Sequence, residues 1–304
     1  MSGEASSAGR IESADVVNVR ALARVARRER LLMVGLFSPA FLLMAAFVVL
    51  PIGWLFCLSF VDNAHLSAVH YARMIEYSSY YKILMTTLRI SIIVTILCMV
   101  AGYPVAYLLA QLASPWSLIC LSLVVIPFWT SLLVRTYAWL VLLSSNGPIN
   151  AFVQWASFTS KPLELVFNET GTVIGMVHVM LPFFILPLYS VIRSFDWSLI
   201  QAASSLGAPP ISAFARVFLP LSLPGLVAGA VLVFVQSLGF FVTPAVLGGG
   251  NVTMVSMKIA NNVQNYFEWG ASSAFGVVLL ISAFGVLAIA ARILGFERTF
   301  GMAR

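Results

Sequence analysis

Residues 198–220 read SLIQAASSLGAPPISAFARVFLP and separate two long apolar runs. A segment this rich in small residues, mostly Ala and Ser, between apolar runs is expected to face water. Ser198 is predicted to cap a short helix that Gly207 ends, and the Ala-Pro-Pro that follows is predicted to bend the chain. A second short helix from Ile211 is expected to run into the next apolar run. We call residues 194–216 the elbow.

Composition places the elbow in a membrane protein. Hydrophobic residues make up 61% of the chain and charged residues 9%, with a mean hydropathy of +0.98, whereas soluble domains carry about a quarter charged residues. A membrane span needs about 20 apolar residues, which divides the apolar runs into six predicted spans. These lie at residues 31–60, 84–112, 117–143, 171–193, 217–243 and 271–294. The sequence therefore predicts an all-α integral membrane protein.

The placement of basic residues predicts the orientation of these spans. Eleven Lys and Arg lie before the first span, around the elbow and after the last span, against four in the alternate loops. Since cytoplasmic loops carry the excess of Lys and Arg, both termini and the elbow are predicted to be cytoplasmic. The net charge of +6 is then a topology signal and not a sign of nucleic-acid binding. The basic amino end also suits anionic membrane lipid.

The spacing within the elbow resembles the EAA loop of ABC-importer permeases, where E-A-A is followed after three residues by G and after nine more by I-x-L-P. The matching positions are Gln201, Ala202, Ala203, Gly207, Val217, Leu219 and Pro220, with Ala208 beside the glycine. Gln201 stands where Glu is usual, and Val217 where Ile is usual. The resemblance implies that this loop docks onto a cytoplasmic ATPase. The alternative is that its small residues only fill and end a surface helix.

A wider stretch, roughly residues 30–295, is similar to the spermidine/putrescine importer permeases, most clearly at residues 127–139, 146–150 and 233–249. The resemblance implies a type I importer permease of six transmembrane helices, N-in and C-in. It implies transport of a small polar solute, with a polyamine as first guess, from a periplasmic binding protein into the cytoplasm. An opine, phosphonate or amino-acid-like solute stays open, as does a stand-alone secondary transporter. The implied partners are that binding protein, a second permease subunit and two ATP-binding cassette ATPase subunits.

The sequence contains no motif that indicates ATP binding or catalysis by this chain. None of the three lysines stands in a G-x-x-x-x-G-K-[ST] phosphate loop, so ATP hydrolysis is expected on a separate subunit. No nucleophile–base pair stands out, and the three cysteines lack ligand spacing. We therefore expect a non-catalytic subunit without cofactor, metal or nucleic acid.

Polar and aromatic residues of the predicted spans are candidates for the solute pathway: Trp129, Arg135, Tyr137, Gln236, Phe240 and Thr243. Aromatic faces attract organic cations, and an arginine inside a membrane tends to face a water-filled cavity or a partner. Packing roles are the alternative. Arg89 is expected to snorkel to the interface, and His178 is interpreted as a packed or cavity residue. No carboxylate lies inside any predicted span, so selectivity is expected to rest with a soluble receptor.

The predicted organisation has three parts, in a multi-pass protein of the bacterial inner membrane. Residues 1–30 are expected to be a cytoplasmic, disordered basic segment. Residues 31–296 are expected to form the permease domain, which contains the elbow, and residues 297–304 a cytoplasmic tail.

Overall fold

The computed structural model describes residues 4–62, 65–156 and 161–293, and it is built almost entirely of helices. The helices are α1 (Glu4–Leu58), α2 (Val69–Glu76), α3 (Ser78–Gln111), α4 (Ser114–Val125), α5 (Leu132–Leu143), α6 (Pro148–Trp155), α7 (Glu169–Arg193), α8 (Ser198–Ser205), α9 (Pro210–Ala213), α10 (Leu219–Leu238), α11 (Val242–Leu247), α12 (Val255–Asn261) and α13 (Trp269–Ile293). A 3₁₀ turn follows α4 (Ile126–Trp129), and π-helical turns follow α9 (Phe214–Phe218) and α12 (Asn262–Tyr266). Two strands of two residues, β1 (Val61–Asp62) and β2 (His65–Leu66), pair antiparallel.

Five stretches of the described chain are long and apolar enough to cross a membrane. They are Leu32–Leu58, Ser78–Gln111, Glu169–Arg193, Pro210–Leu238 and Trp269–Arg292. A sixth crossing is available if the bent pair Ser114–Trp129 and Leu132–Trp155 counts as one span. The all-α membrane fold is therefore confirmed.

The third predicted span, residues 117–143, is not one straight helix. Its two halves meet at a bend of 100°. At the break, the backbone N–H and the hydroxyl of Thr130 both donate to the carbonyl of Pro127, at 3.2 and 2.8 Å. These bonds satisfy the Pro127 carbonyl, at the end of the first half of the span, without a further helical turn. Helix α5 therefore begins at Leu132 in a new direction. Hydropathy does not register such a break because the residues on both sides are equally apolar.

The fifth predicted span, residues 217–243, ends earlier than expected. Its helix α10 stops at Leu238, and Thr243 lies in the separate short helix α11. Phe240 stands between them, where its N–H donates to the Ser237 carbonyl at 3.3 Å and its own carbonyl accepts from the Ser256 hydroxyl at 2.7 Å. The first turn of α12 thus supplies the bond that a continuing helix would have made.

The first helix begins at Glu4, whereas disorder was expected over residues 1–30. Residues 4–30 contain one glycine and no proline, and they are rich in Ala, Arg and Glu, which favour helix. The backbone there is helical for that reason. The division into three segments stays a prediction, and the predicted tail at residues 297–304 lies outside the described residues. The chain divides into two compact units, Met1–Cys57 and Leu58–Arg304, and the following concerns the second.

The core of the second unit is formed by α3, α7 and α10, which pack on one another. Phe184 of α7 is fully buried at the centre of this packing. Gly225 and Gly229 of α10 face α7, and a Cβ on Gly229 would lie 2.8 Å from the Phe184 carbonyl oxygen. Small residues four apart let membrane helices approach closely. The two helices that flank the elbow, α7 and α10, are therefore tightly joined inside the bundle.

Candidate coupling site and intramembrane cluster

The elbow begins with a capped helix, although the cap differs from the one predicted. Helix α8 starts at Ser198, and the carboxylate of Asp196 accepts the Ser198 backbone N–H at 2.9 Å. The side-chain hydroxyl of Ser198 and this N–H hold the pKa of the Asp196 carboxyl below its ordinary value. The prediction of Ser198 as the capping residue is wrong, because Trp197 occupies the N-cap position and the N–H groups of Ile200 and Gln201 donate to its carbonyl.

Gly207 ends α8 as predicted. Its φ of +83° is left-handed, a region that glycine enters without steric cost. The Ala208 N–H donates to the Ala203 carbonyl at 3.1 Å and the Gly207 N–H to the Ser204 carbonyl at 3.0 Å, which is the bond pattern of a Schellman motif. Ala203, Gly207 and Ala208 therefore have a structural role in closing the first arm of the elbow.

The second arm runs straight into the membrane-spanning helix, as expected. Pro210 stands at the first position of α9, where its missing N–H costs no hydrogen bond. The chain continues through the π-helical turn Phe214–Phe218 into α10. Leu219 and Pro220 are in the first turn of α10 and Val217 in the π turn, so these matched positions belong to the root of the span. They do not form the exposed tip.

The tip of the elbow exposes apolar side chains. Leu206 is 89% exposed and Ile211 83% exposed, on either side of the Gly207 bend, and Gln201 and Ala202 of α8 are exposed as well. Water is a poor solvent for such side chains, and a patch of them marks an interaction surface. The tip therefore has the character of a docking element.

Beneath the tip lies a set of packed rings that we call the aromatic base: Tyr103, Tyr107, Phe195, Trp197, Phe214 and Phe218. Phe218 is 1% exposed, and its ring centroid lies 5.2 Å from that of Tyr107 and 5.5 Å from that of Trp197. Tyr107 belongs to α3, whereas Trp197 precedes α8. The base therefore packs both arms of the elbow against the spanning helices.

The structure scatters the predicted pathway residues. Trp129 is 88% exposed and Tyr137 55% exposed; Gln236 is exposed and Phe240 half-buried. Thr243 is fully buried, and its hydroxyl lies 3.3 Å from that of Thr136. This bond ties α11 to α5, which makes Thr243 a packing residue in this structure.

Arg135 lies one turn from an aromatic contact between α5 and α7. Trp139 stands one turn after Arg135 on α5, and residues four apart share a helix face. The Trp139 ring lies edge-on to the His178 ring of α7, with centroids 5.6 Å apart. We call Arg135, Trp139 and His178 the intramembrane cluster. The i, i+4 spacing of Arg135 and Trp139 was the available signal for it.

Arg89, the other arginine within the predicted spans, has a partner. Its Nε lies 3.2 Å from the carboxylate of Glu169, the first residue of α7. Arg89 is 69% exposed, so this ion pair is a weak surface interaction. The two arginines thus occupy different environments.

Comparison with known proteins yields a family match and curated relatives. Residues 102–296 match the family described as binding-protein-dependent transport system inner membrane component. The spermidine/putrescine transport system permease protein PotB of Escherichia coli (strain K12) is 34% identical over 212 residues, covering 70% of this chain and 77% of PotB. PotB of Haemophilus influenzae is 35% identical over 67% of this chain and 72% of its own. The molybdenum transport system permease protein ModB of Azotobacter vinelandii is 28% identical over 60% and 78%.

Two solved structures have the same fold at low sequence identity. A bacterial ABC transporter involved in the import of the acidic polysaccharide alginate is similar with a TM-score of 0.69 at 16% identity, covering 90% of this chain and 99% of that one. A bacterial alginate ABC transporter in complex with a periplasmic protein bound to an alginate pentasaccharide gives 0.72 at 15%, covering 86% and 93%.

Proposed function

The chain belongs to the family of binding-protein-dependent transport system inner membrane components, and from this premise we propose that its elbow couples an ATPase to solute import. It is a multi-pass permease of the bacterial inner membrane, of a family whose membrane subunits are non-catalytic. The proposed partners are a second permease subunit, two ATPase subunits and a periplasmic binding protein, within membrane lipid. The N-in, C-in orientation is part of the proposal.

One observation carries the coupling role: the elbow has an exposed apolar tip on an aromatic base that packs around the buried Phe218. Leu206 and Ile211 offer surface to a partner, whereas Phe218 is buried against α3. A tip that is held to the spanning helices passes a displacement on to them, because packed interiors are stiff. When ATP closes the ATPase pair, the tip is pulled, and α10 and α3 follow.

The substrate is proposed as a small polar solute, delivered by the binding protein. The names of the PotB relatives make a polyamine such as spermidine or putrescine the first candidate. Relatives and structural neighbours also include proteins named for molybdenum and for an acidic polysaccharide, so the fold accommodates cargoes of either charge. An opine, phosphonate or amino-acid-like solute is the second candidate, and Arg135 favours it.

Purification of this chain from its own membranes tests the coupling proposal. We expect an ATPase to copurify, and we expect ATP hydrolysis in proteoliposomes to rise when the binding protein is added with its solute. Crosslinks from a cysteine placed at Ala202 should reach that ATPase. If the purified chain alone moves solute in liposomes, or if Ala202 is labelled from the periplasmic side, the proposal is wrong.

A further inference from the structure

The intramembrane cluster combines hydrogen-bond donors with no acceptor nearby. The Nε of Arg135 and the Nδ1 of His178 are both buried, and neither has a hydrogen-bond partner among the described residues. Arg135 and His178 are themselves only half-buried. Buried polar groups in proteins are nearly always hydrogen-bonded, and inside a bilayer an unpaired one is costlier still. The two nitrogens therefore indicate a ligand or partner beyond the chain.

No carboxylate within the described membrane spans is free to pair with Arg135. Within these spans the one acidic residue is Glu169, the first residue of α7. Glu169 is already paired with Arg89 at 3.2 Å. An arginine inside a span is costly unless it faces water, a partner or a ligand, so the counter-group of Arg135 has to come from another molecule.

We propose that the intramembrane cluster binds an oxyanion group, a carboxylate or phosphonate, of the transported solute as it passes. This rests on the proposed importer function and deepens it by choosing the class of cargo. The guanidinium of Arg135 matches the geometry of an oxyanion, and the rings of Trp139 and His178 form the wall beside it. A fixed positive charge here repels a polycation.

Matched pairs of small molecules, in which the two members differ only by an acid group, test this proposal directly. Ornithine is putrescine with a carboxylate, and aminoethylphosphonate is ethylamine with a phosphonate. The transporter, purified with its partner subunits and placed in nanodiscs, is treated with phenylglyoxal, which modifies guanidinium groups, and Arg135 and Arg89 are quantified by mass spectrometry. Arg89 is the internal control.

We expect the compounds with an acid group to slow modification of Arg135 and not of Arg89, and the matched amines to slow neither. Equal protection by putrescine, or protection by no compound, overturns the proposal. If Arg135 resists modification without any added compound and Arg135→Gln releases the second permease subunit, the counter-group belongs to that subunit and the proposal is also wrong.

A functional readout separates binding from assembly. With a cargo that protects Arg135, we expect Arg135→Gln to lower its apparent affinity in uptake by about 10- to 100-fold, the range for a hydrogen bond to a charged group. Arg135→Lys should recover part of the loss because it keeps the charge, and Arg89→Gln should change little. If the cluster does not bind the cargo, the binding protein still stimulates ATP hydrolysis. If the importer proposal is wrong, that stimulation is absent.

Discussion

Gly207 offers the sharpest test of the elbow, because its substitution changes backbone energy and little else. Its φ is +83°, and a Cβ built on it meets nothing within 4 Å. The change Gly207→Val therefore creates no clash with neighbours, and its effect comes from the left-handed backbone alone. That conformation costs a residue with a Cβ about 1–2 kcal/mol, and more when the side chain is β-branched.

A cost of this size lowers the population of the native elbow relative to alternatives by a factor of about 5–30. We expect the Gly207→Val transporter to insert and assemble, but to import less solute for each ATP hydrolysed. Gly207→Asn should keep most of the coupling, since Asn tolerates the left-handed region. Uptake and hydrolysis, measured together in proteoliposomes with the binding protein, give the ratio.

Gly250 provides a matched control at the other end of the bundle. Its φ is +84° and a Cβ there also meets nothing within 4 Å, so Gly250→Val imposes the same strain away from the elbow. We expect it to leave the ratio of uptake to hydrolysis unchanged. A normal ratio in Gly207→Val, or an equal loss in Gly250→Val, would refute the reasoning.

Three further predictions concern the same region. Phe218→Ala should destabilise the protein by about 3–5 kcal/mol, because Phe218 is 1% exposed in the aromatic base. Thermal unfolding in detergent measures this loss. As a control, Phe241→Ala removes a ring that is 43% exposed and should change the stability little. Leu206→Asp should weaken ATPase binding about 10- to 100-fold, which corresponds to the free energy of burying one leucine. A pull-down titration measures this affinity. As a control, Leu66→Asp changes an 88% exposed leucine in β2 and should have no effect on it. The depressed pKa of Asp196 means that its cap supports α8 above the ordinary carboxyl pKa and is lost only as pH falls through the lower folded value. Tryptic cleavage at Arg193 and Arg216, assayed at neutral pH where the Asp196 carboxylate is charged, should therefore be faster in Asp196→Ala than in the wild type. Equal rates would contradict the cap.

Much of the elbow was predictable from local sequence. The end of α8 at Gly207, the bend at the prolines and the continuity from Pro210 into α10 depend on residues close in the chain, whose backbone preferences are nearly independent of context. The same holds for the short helix α6, which begins at Pro148 after Gly147. The cap was misassigned because α8 begins one residue earlier than predicted, with Trp197 at the N-cap position, where a tryptophan gives no capping signal in the sequence.

The sequence by itself determined that this is an all-helical membrane protein with a small-residue elbow between two spans, because apolar run length and turn residues act locally. Only the tertiary structure decided where the third span bends, that α10 ends before Phe240, and that Trp139 meets His178 across two helices. The end of α10 and the contact of Trp139 with His178 depend on residues that are not neighbours in the chain, such as the Ser256 hydroxyl on the Phe240 carbonyl. The sequence pattern does not distinguish a polar side chain that packs, such as Thr243, from one that stays unpaired, such as Arg135.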